Sequence, residues 1–146
     1  MKQTSLLLLL CLFSVQAMCQ DIFLGTNKEK IANYYIMSMK RTKNGYIDVF
    51  ERVKPADGKL AAFREQLIAQ RTKMKLSTEG LDKVGYYRRR IQFSCKGKIY
   101  RMREETYYDL YGKEISTNDP DPAENAKWEF IPPSTMREIE FNKACQ

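Results

Sequence analysis

Apolar and polar side chains alternate most clearly over residues 86–108, YYRRRIQFSCKGKIYRMREETYY, and the pattern predicts a β-hairpin turning at Gly97-Lys98. Glycine in first place of a two-residue loop suits a type II′ turn, which needs φ > 0 there. That turn pairs Lys96 with Ile99, Cys95 with Tyr100, Phe93 with Met102, Arg90 with Glu105 and Arg88 with Tyr107. Side chains alternate across a strand, so Phe93, Cys95, Tyr100 and Met102 then share one face. Arg88, Arg90, Gln92, Arg101 and Arg103 share the other. A three-residue loop would set Phe93 against Arg101 and mix the faces. The two-residue register leaves one flaw: Glu104 falls on the apolar face opposite Ile91, which points to a bulge or an opening of the sheet there.

The remaining chain supplies elements to pack against this hairpin. Residues 20–32 read as a polar lead-in with helical character at Asn27–Ala32. Residues 33–39 and 46–53 are rich in strand formers, and Asn44-Gly45 between them signals a type I′ hairpin. Pairing through that turn sets Thr42 against Ile47, Arg41 against Asp48 and Met39 against Phe50, with an opposite-charge pair and an apolar pair in its favour. Pro55, Asp57 and Gly58 break the second strand. A helix follows over 59–75, where Leu60, Phe63, Leu67 and Met74 recur near helical spacing. Asp57 is placed to cap it, and Arg71 interrupts its apolar stripe.

Residues 76–83 form a loop into the hairpin. Beyond it, 109–111 continue the strand pattern, Gly112 turns toward 113–115, and 116–126 form a polar loop with two prolines. Trp128–Ile131 is a short strand stopped by Pro132-Pro133. Ser134 is placed to cap a last helix over 135–144, with Met136, Ile139 and Ala144 toward the sheet and Glu138 near the positive end. The pattern predicts one α+β domain: an antiparallel sheet of about five or six strands, a mid-chain helix and a C-terminal helix.

The N-terminus changes the compartment. Lys2, an apolar run over 6–15 and then small and polar residues make a secretory signal peptide. Its apolar run is too short to span a bilayer as a mature helix. Cleavage after Ala17 or after Cys19 fits, and acylation of Cys19 is a third arrangement; we take 1–19 as signal and 20–146 as a single domain. The expected product is exported to the periplasm, the cell surface or the medium, with no transmembrane segment in the mature chain. The net charge of +7 suits a soluble basic domain that can meet acidic polysaccharide or an acidic protein surface. No binding of nucleic acid is expected.

Cys95 and Cys145 remain after the signal is removed, an even pair in an exported chain and so a disulfide candidate. The last helix would carry Cys145 to Cys95 and tie itself to the sheet.

Phe93-Ser94-Cys95, Tyr100-Arg101, Tyr107-Tyr108, Gly112, the run Trp128-Glu129-Phe130-Ile131-Pro132-Pro133-Ser134 and the terminal Cys145 resemble the bacterial surface-adhesin protein E family over roughly residues 30–145. The resemblance implies a small exported domain with an antiparallel sheet, a C-terminal helix and a disulfide. It also implies a binding role, since the family's named member binds host matrix proteins. The helical segment 59–75 departs from the family pattern.

Candidate chemistry is sparse. The chain has no histidine, which removes His-based triads and the commonest zinc ligand. No phosphate-binding glycine loop or H-E-x-x-H motif occurs, and no cofactor is implied. Asn118, Asp119, Asp121 and Glu124 have the oxygen ligands of a calcium site but not EF-hand spacing, and a solvated turn is the simpler reading. Arg88, Arg90, Arg101 and Arg103, with Tyr86 and Tyr107 at the end of the same face, are the candidate ligand-binding residues, suited to carboxylate- or sulfate-rich ligands. The plainer reading is a solvated face of pairs such as Arg90–Glu105. Trp128, Phe130, Phe93, Tyr100 and Met102 are expected in the core beside the disulfide. The functional expectation is a non-enzymatic exported binding or adhesion module whose partner is a host matrix or envelope protein. Alternatives are a structural or inhibitory envelope protein using tyrosine-rich strand edges, and a small His-free hydrolase.

Overall fold

The computed structural model describes residues 20–117 and 126–146, so the expected signal peptide and acidic loop lie outside the described residues. Seven strands form one antiparallel sheet: β1 Ile22–Thr26, β2 Ala32–Arg41, β3 Ile47–Pro55, β4 Val84–Ser94, β5 Ile99–Asp109, β6 Glu114–Ile115 and β7 Glu129–Phe130. They lie in the order β1-β2-β3-β4-β5-β6, with β7 pairing the other end of β5. Two helices, α1 (Leu60–Lys73) and α2 (Met136–Ala144), complete the α+β architecture. The lead-in expected to be helical is instead β1 and its turn to β2. There the Asn27 side-chain oxygen accepts from the amides of Ile31 and Ala32, which makes Asn27 a turn residue and not a helical one.

Both helices pack on one face of the sheet. Phe63 and Leu67 of α1 join Ala32, Val53, Leu81, Val84, Tyr87 and Tyr107 in one apolar cluster. Ala144 of α2, with Phe141 beside it, joins Ile36, Ile47, Val49, Ile91 and Phe93 in a second. Each fully buried side chain of this kind contributes about 1.5–3 kcal/mol. Asp57 does not cap α1: the first turn begins at Lys59, with no side-chain cap. Thr135, not Ser134, caps α2 by accepting from the Glu138 amide, while the Glu138 carboxylate reaches back to the Ser134 amide at 2.8 Å. The N-cap therefore lies one residue later than the sequence suggests, and Glu138 holds the amide of the residue just before it.

The two hairpins differ from their expected registers. Between β2 and β3, Arg41 faces Ile47, Lys40 faces Asp48 and Met39 faces Val49, not Thr42–Ile47, Arg41–Asp48 and Met39–Phe50. Gly45 alone of the turn residues has positive φ (80°), so Lys43-Asn44-Gly45 is a three-residue loop with glycine in the left-handed place. Thr42 and Tyr46 close it through their backbones and the Thr42 hydroxyl.

Between β4 and β5, Phe93 faces Tyr100 and Ser94 faces Ile99, so residues 95–98 form a four-residue loop. Lys98, not Gly97, takes the positive φ. The expected Cys95–Tyr100 and Phe93–Met102 pairs are corrected, but the shift is even and the tip keeps its faces. The longer loop releases Cys95 from the ladder, and its sulfur bonds that of Cys145 with the Cα atoms 5.6 Å apart. A bulge follows at Arg103, between the pairs Ile91–Met102 and Arg90–Glu104. It sits where Glu104 would otherwise have faced inward. Glu104 is carried to the outer face beside Arg90, and every residue after it changes face.

Candidate functional site

The inner face of the sheet carries a charged row between its two apolar clusters. Ile36, Glu51, Arg89 and Glu105 lie side by side on β2, β3, β4 and β5. Arg89 Nε donates to Glu105 Oε2 at 2.6 Å and a guanidinium nitrogen lies 3.8 Å from Glu51. From α1, Arg71 donates to the Tyr107 hydroxyl at 2.8 Å and to the Ser77 carbonyl at 2.7 Å, and lies 3.5 Å from Glu105. The Tyr107 hydroxyl donates to Glu105 in turn. From α2, Glu140 is wholly buried and accepts from Arg137.

The electrostatics follow from burial. Burial, and then Glu51, push the Glu140 carboxyl up to about 8 against the pull of Arg137 and Arg89, so Glu140 carries a proton at neutral pH. Burial also raises Glu105, but Arg89, Tyr107 and Arg71 outweigh it and hold that carboxyl below its ordinary value. Burial raises Tyr34 and Tyr87, so both remain neutral donors. One oxygen each of Glu51 and Glu140 has no hydrogen-bond partner.

Among the described residues, no helix packs on the outer face. Asp48 accepts from Arg90 at 2.9 Å and from Gln92 at 2.8 Å; Gln92 accepts from Arg101 at 2.7 Å; and Arg90 also pairs with Glu104 at 3.3 Å. Arg101 lies over the Trp128 ring, which packs on Tyr46. At the other end of this face Tyr86 and Tyr108 stack, centroids 5.0 Å apart and planes 10° from parallel. The Arg88 guanidinium lies 4.9 Å from the Tyr108 centroid and 5.7 Å from that of Tyr86. Arg88 has no carboxylate within ion-pair distance among the described residues, and its Nε is buried without a partner. Arg52, Lys54, Tyr86, Arg88 and Leu110 line a concavity of about 460 Å³ there, closed below by Gly85. A Cβ on Gly85 would fall 2.7 Å from the Leu110 backbone nitrogen, so only glycine lets β5 close over this end.

The expected site residues therefore divide. Arg88, Arg90 and Arg101 share the outer face with Tyr86; Arg103 sits in the bulge. Tyr107 does not join them: the bulge turns it inward to 1% exposure and puts Tyr108 in its place. The expected Arg90–Glu105 pair is Arg90–Glu104, and Glu105 serves Arg89. Of the expected core aromatics, Phe93 is buried, but Phe130 is 84% exposed and Trp128 lies on the outer face with Arg101, away from the disulfide. Sequence reasoning missed Lys54, Tyr108 and the inner charged row altogether. Glu104 was the only local signal for the parity change that creates the Tyr86–Tyr108 stack.

Among the described residues no group of His, Cys, Asp and Glu could hold a metal ion, and no helix is long and apolar enough to cross a membrane. A family model for surface-adhesin protein E matches residues 30–146. No curated protein and no solved structure matches the chain.

Proposed function

The chain belongs to the surface-adhesin protein E family, and from that premise we propose that it is an exported, non-enzymatic binding module that holds an acidic ligand on the outer face of its sheet. Membership supports a surface adhesion or binding role; the ligand class rests on the residues. One observation carries it: Arg88 is a partly buried cation held over two aromatic rings with no counter-charge among the described residues, next to Lys54, in a concavity. Its neighbours Arg90 and Arg101 are occupied by Asp48, Glu104 and Gln92, so they shape the face and do not recruit a ligand. A guanidinium fixed by stacked rings is pre-organised for sulfate or carboxylate, and the rings offer flat contacts to a sugar or peptide. The ligand class is thus an acidic polysaccharide or an acidic stretch of a host matrix protein.

The test is binding to matrix proteins and heparin, with nucleic acid as a polyanion control, at low and high salt. The variant carries Arg88→Ser and Lys54→Ser. We expect wild-type binding that weakens with salt and falls about tenfold in the variant at low salt. Binding that ignores both salt and the variant would instead favour the apolar sheet edge, where Ile22 and Phe23 of β1 are exposed. That is the second reading, an envelope protein engaging another protein by strand addition. Turnover of any substrate would overturn both.

A further inference from the structure

A second concavity lies on the opposite face of the sheet, between the two helices. It encloses about 670 Å³, within the range of about 300–1,000 Å³ in which proteins hold small molecules. Its floor is Tyr34, Tyr87, Arg89 and Tyr100; Phe63, Gln66, Leu67 and Gln70 of α1 form one wall, and Met136, Arg137 and Ile139 of α2 the other.

Two features of this cleft demand an occupant. The first is Ile139, which the sequence pattern directs at the sheet but which is left 46% exposed on the cleft wall because Glu140 takes the buried position. Met136 lies a turn before it on the same wall. The second is charge. Lys28, Arg89 and Arg137 line the cleft against a single carboxylate, Glu29, at the β1–β2 turn. The rings of Tyr34 and Tyr87 bring phenol hydroxyls to the floor. Donors and cations converge at one side, and apolar side chains stand bare at the other.

We propose that the interhelical cleft binds a small amphiphilic anion, its acidic head toward Arg137 and Arg89 and its apolar body along Leu67, Met136 and Ile139. This site is independent of the outer face. The Arg89 guanidinium already has Glu105, so Arg137 is the residue that meets the head. Its partner Glu140 is protonated at neutral pH and leaves most of the Arg137 charge uncompensated. Glu51 and Glu140 do not line the cleft, so neither carboxylate opposes the acidic head there.

The experiment titrates the disulfide-bonded protein with anilinonaphthalene sulfonate, a fluorescent apolar anion, and then displaces it with dodecanoate or with dodecanol. Saturable binding at one site, displaced by dodecanoate and not by dodecanol, is expected. Arg137→Gln should weaken it by about tenfold or more, the loss expected for one charge-assisted hydrogen bond. Because Arg137→Gln also touches a buried carboxyl, Ile139→Asp serves as a second variant at a half-exposed position, with the same loss expected and an unchanged melting profile. Arg88→Ser should bind like the wild type. Absence of saturable binding, equal displacement by dodecanol, wild-type affinity in both cleft variants, or loss in Arg88→Ser would each overturn the proposal.

Discussion

Arg71 of α1 donates a 2.8 Å hydrogen bond to the hydroxyl of Tyr107, thirty-six positions along the chain. The helix is pinned to the sheet by that bond and by the Arg71 guanidinium lying 5.1 Å from the Tyr107 ring centroid. Tyr107 also donates to Glu105, so its hydroxyl bridges a cation and an anion in the interior. Tyr107→Phe keeps the ring and removes the bridge. It leaves polar groups of Arg71 and Glu105 without that partner, a loss of about 1–3 kcal/mol. Urea unfolding should show this as a lower midpoint with unchanged slope. A midpoint within error of wild type would mean that the bridge contributes nothing net.

Glu140 gives stability a pH dependence of unusual sign for a carboxylate. Its pKa is raised from an ordinary 4.5 to about 8 in the folded protein, so the native state binds a proton that the unfolded chain has already released. Its contribution is fully present below about pH 4.5 and is lost as pH rises through about 8. Between those values stability should fall by up to about 1.4 kcal/mol per pH unit on this account. Glu140→Gln, permanently neutral, should flatten that segment and exceed wild type in stability at pH 8. Parallel curves for the two proteins between pH 5 and 8 would show that Glu140 is ionised in the fold.

These two residues also mark where reading the sequence stops. Strands were legible because alternation is a local property, and the disulfide was legible because setting aside the expected signal peptide left one even pair of cysteines. Arg71 looked like a break in the α1 stripe because a helical pattern counts only apolar side chains as inward. The structure buries Phe63, Leu67 and Arg71 on one line, since Tyr107 and Glu105 await the guanidinium. Glu140 went unmarked for the same reason. Its burial depends on Glu51 and Arg89, which lie on strands far away in sequence. The outer-face arginines were found correctly by alternation up to the bulge, and Tyr107 was misplaced directly after it. Parity errors do not decay along a strand; one extra residue reverses all that follow.

The bulge at Arg103 can be tested by removing the residue and not merely the side chain. Deleting Arg103 would join Met102 to Glu104 and restore plain pairing while leaving Glu105 and Tyr107 facing inward, because Arg103 is the residue the ladder skips. The deletion should therefore keep Tyr107 under α1 and unfold at a urea midpoint within about 1 kcal/mol of wild type. Arg103→Ala keeps the extra backbone position and should cost less than about 1 kcal/mol. A deletion far less stable than the substitution would mean that the bulge itself, and not only the inward face of Tyr107, is needed to hold β5 in the sheet.

The disulfide fixes the end of α2, the helix that forms one wall of the cleft. Cys95 and Cys145 are 50 positions apart, and closing a loop of that length contributes about 4 kcal/mol in the chain-entropy account. The paired substitution Cys95→Ser with Cys145→Ser should therefore lower stability by about that amount. The loss should not be uniform. α2 is short, its apolar contacts are Phe141 and Ala144 beside the bridge, and an isolated helix of this length does not hold together in water. The α1 cluster does not depend on it. Hydrogen exchange of the serine variant should show amides of residues 138–145 exposed at low free energy while those of β3 and β4 keep most of their protection. Uniform loss across the sheet would instead make α2 and its bridge part of a single cooperative unit with the core.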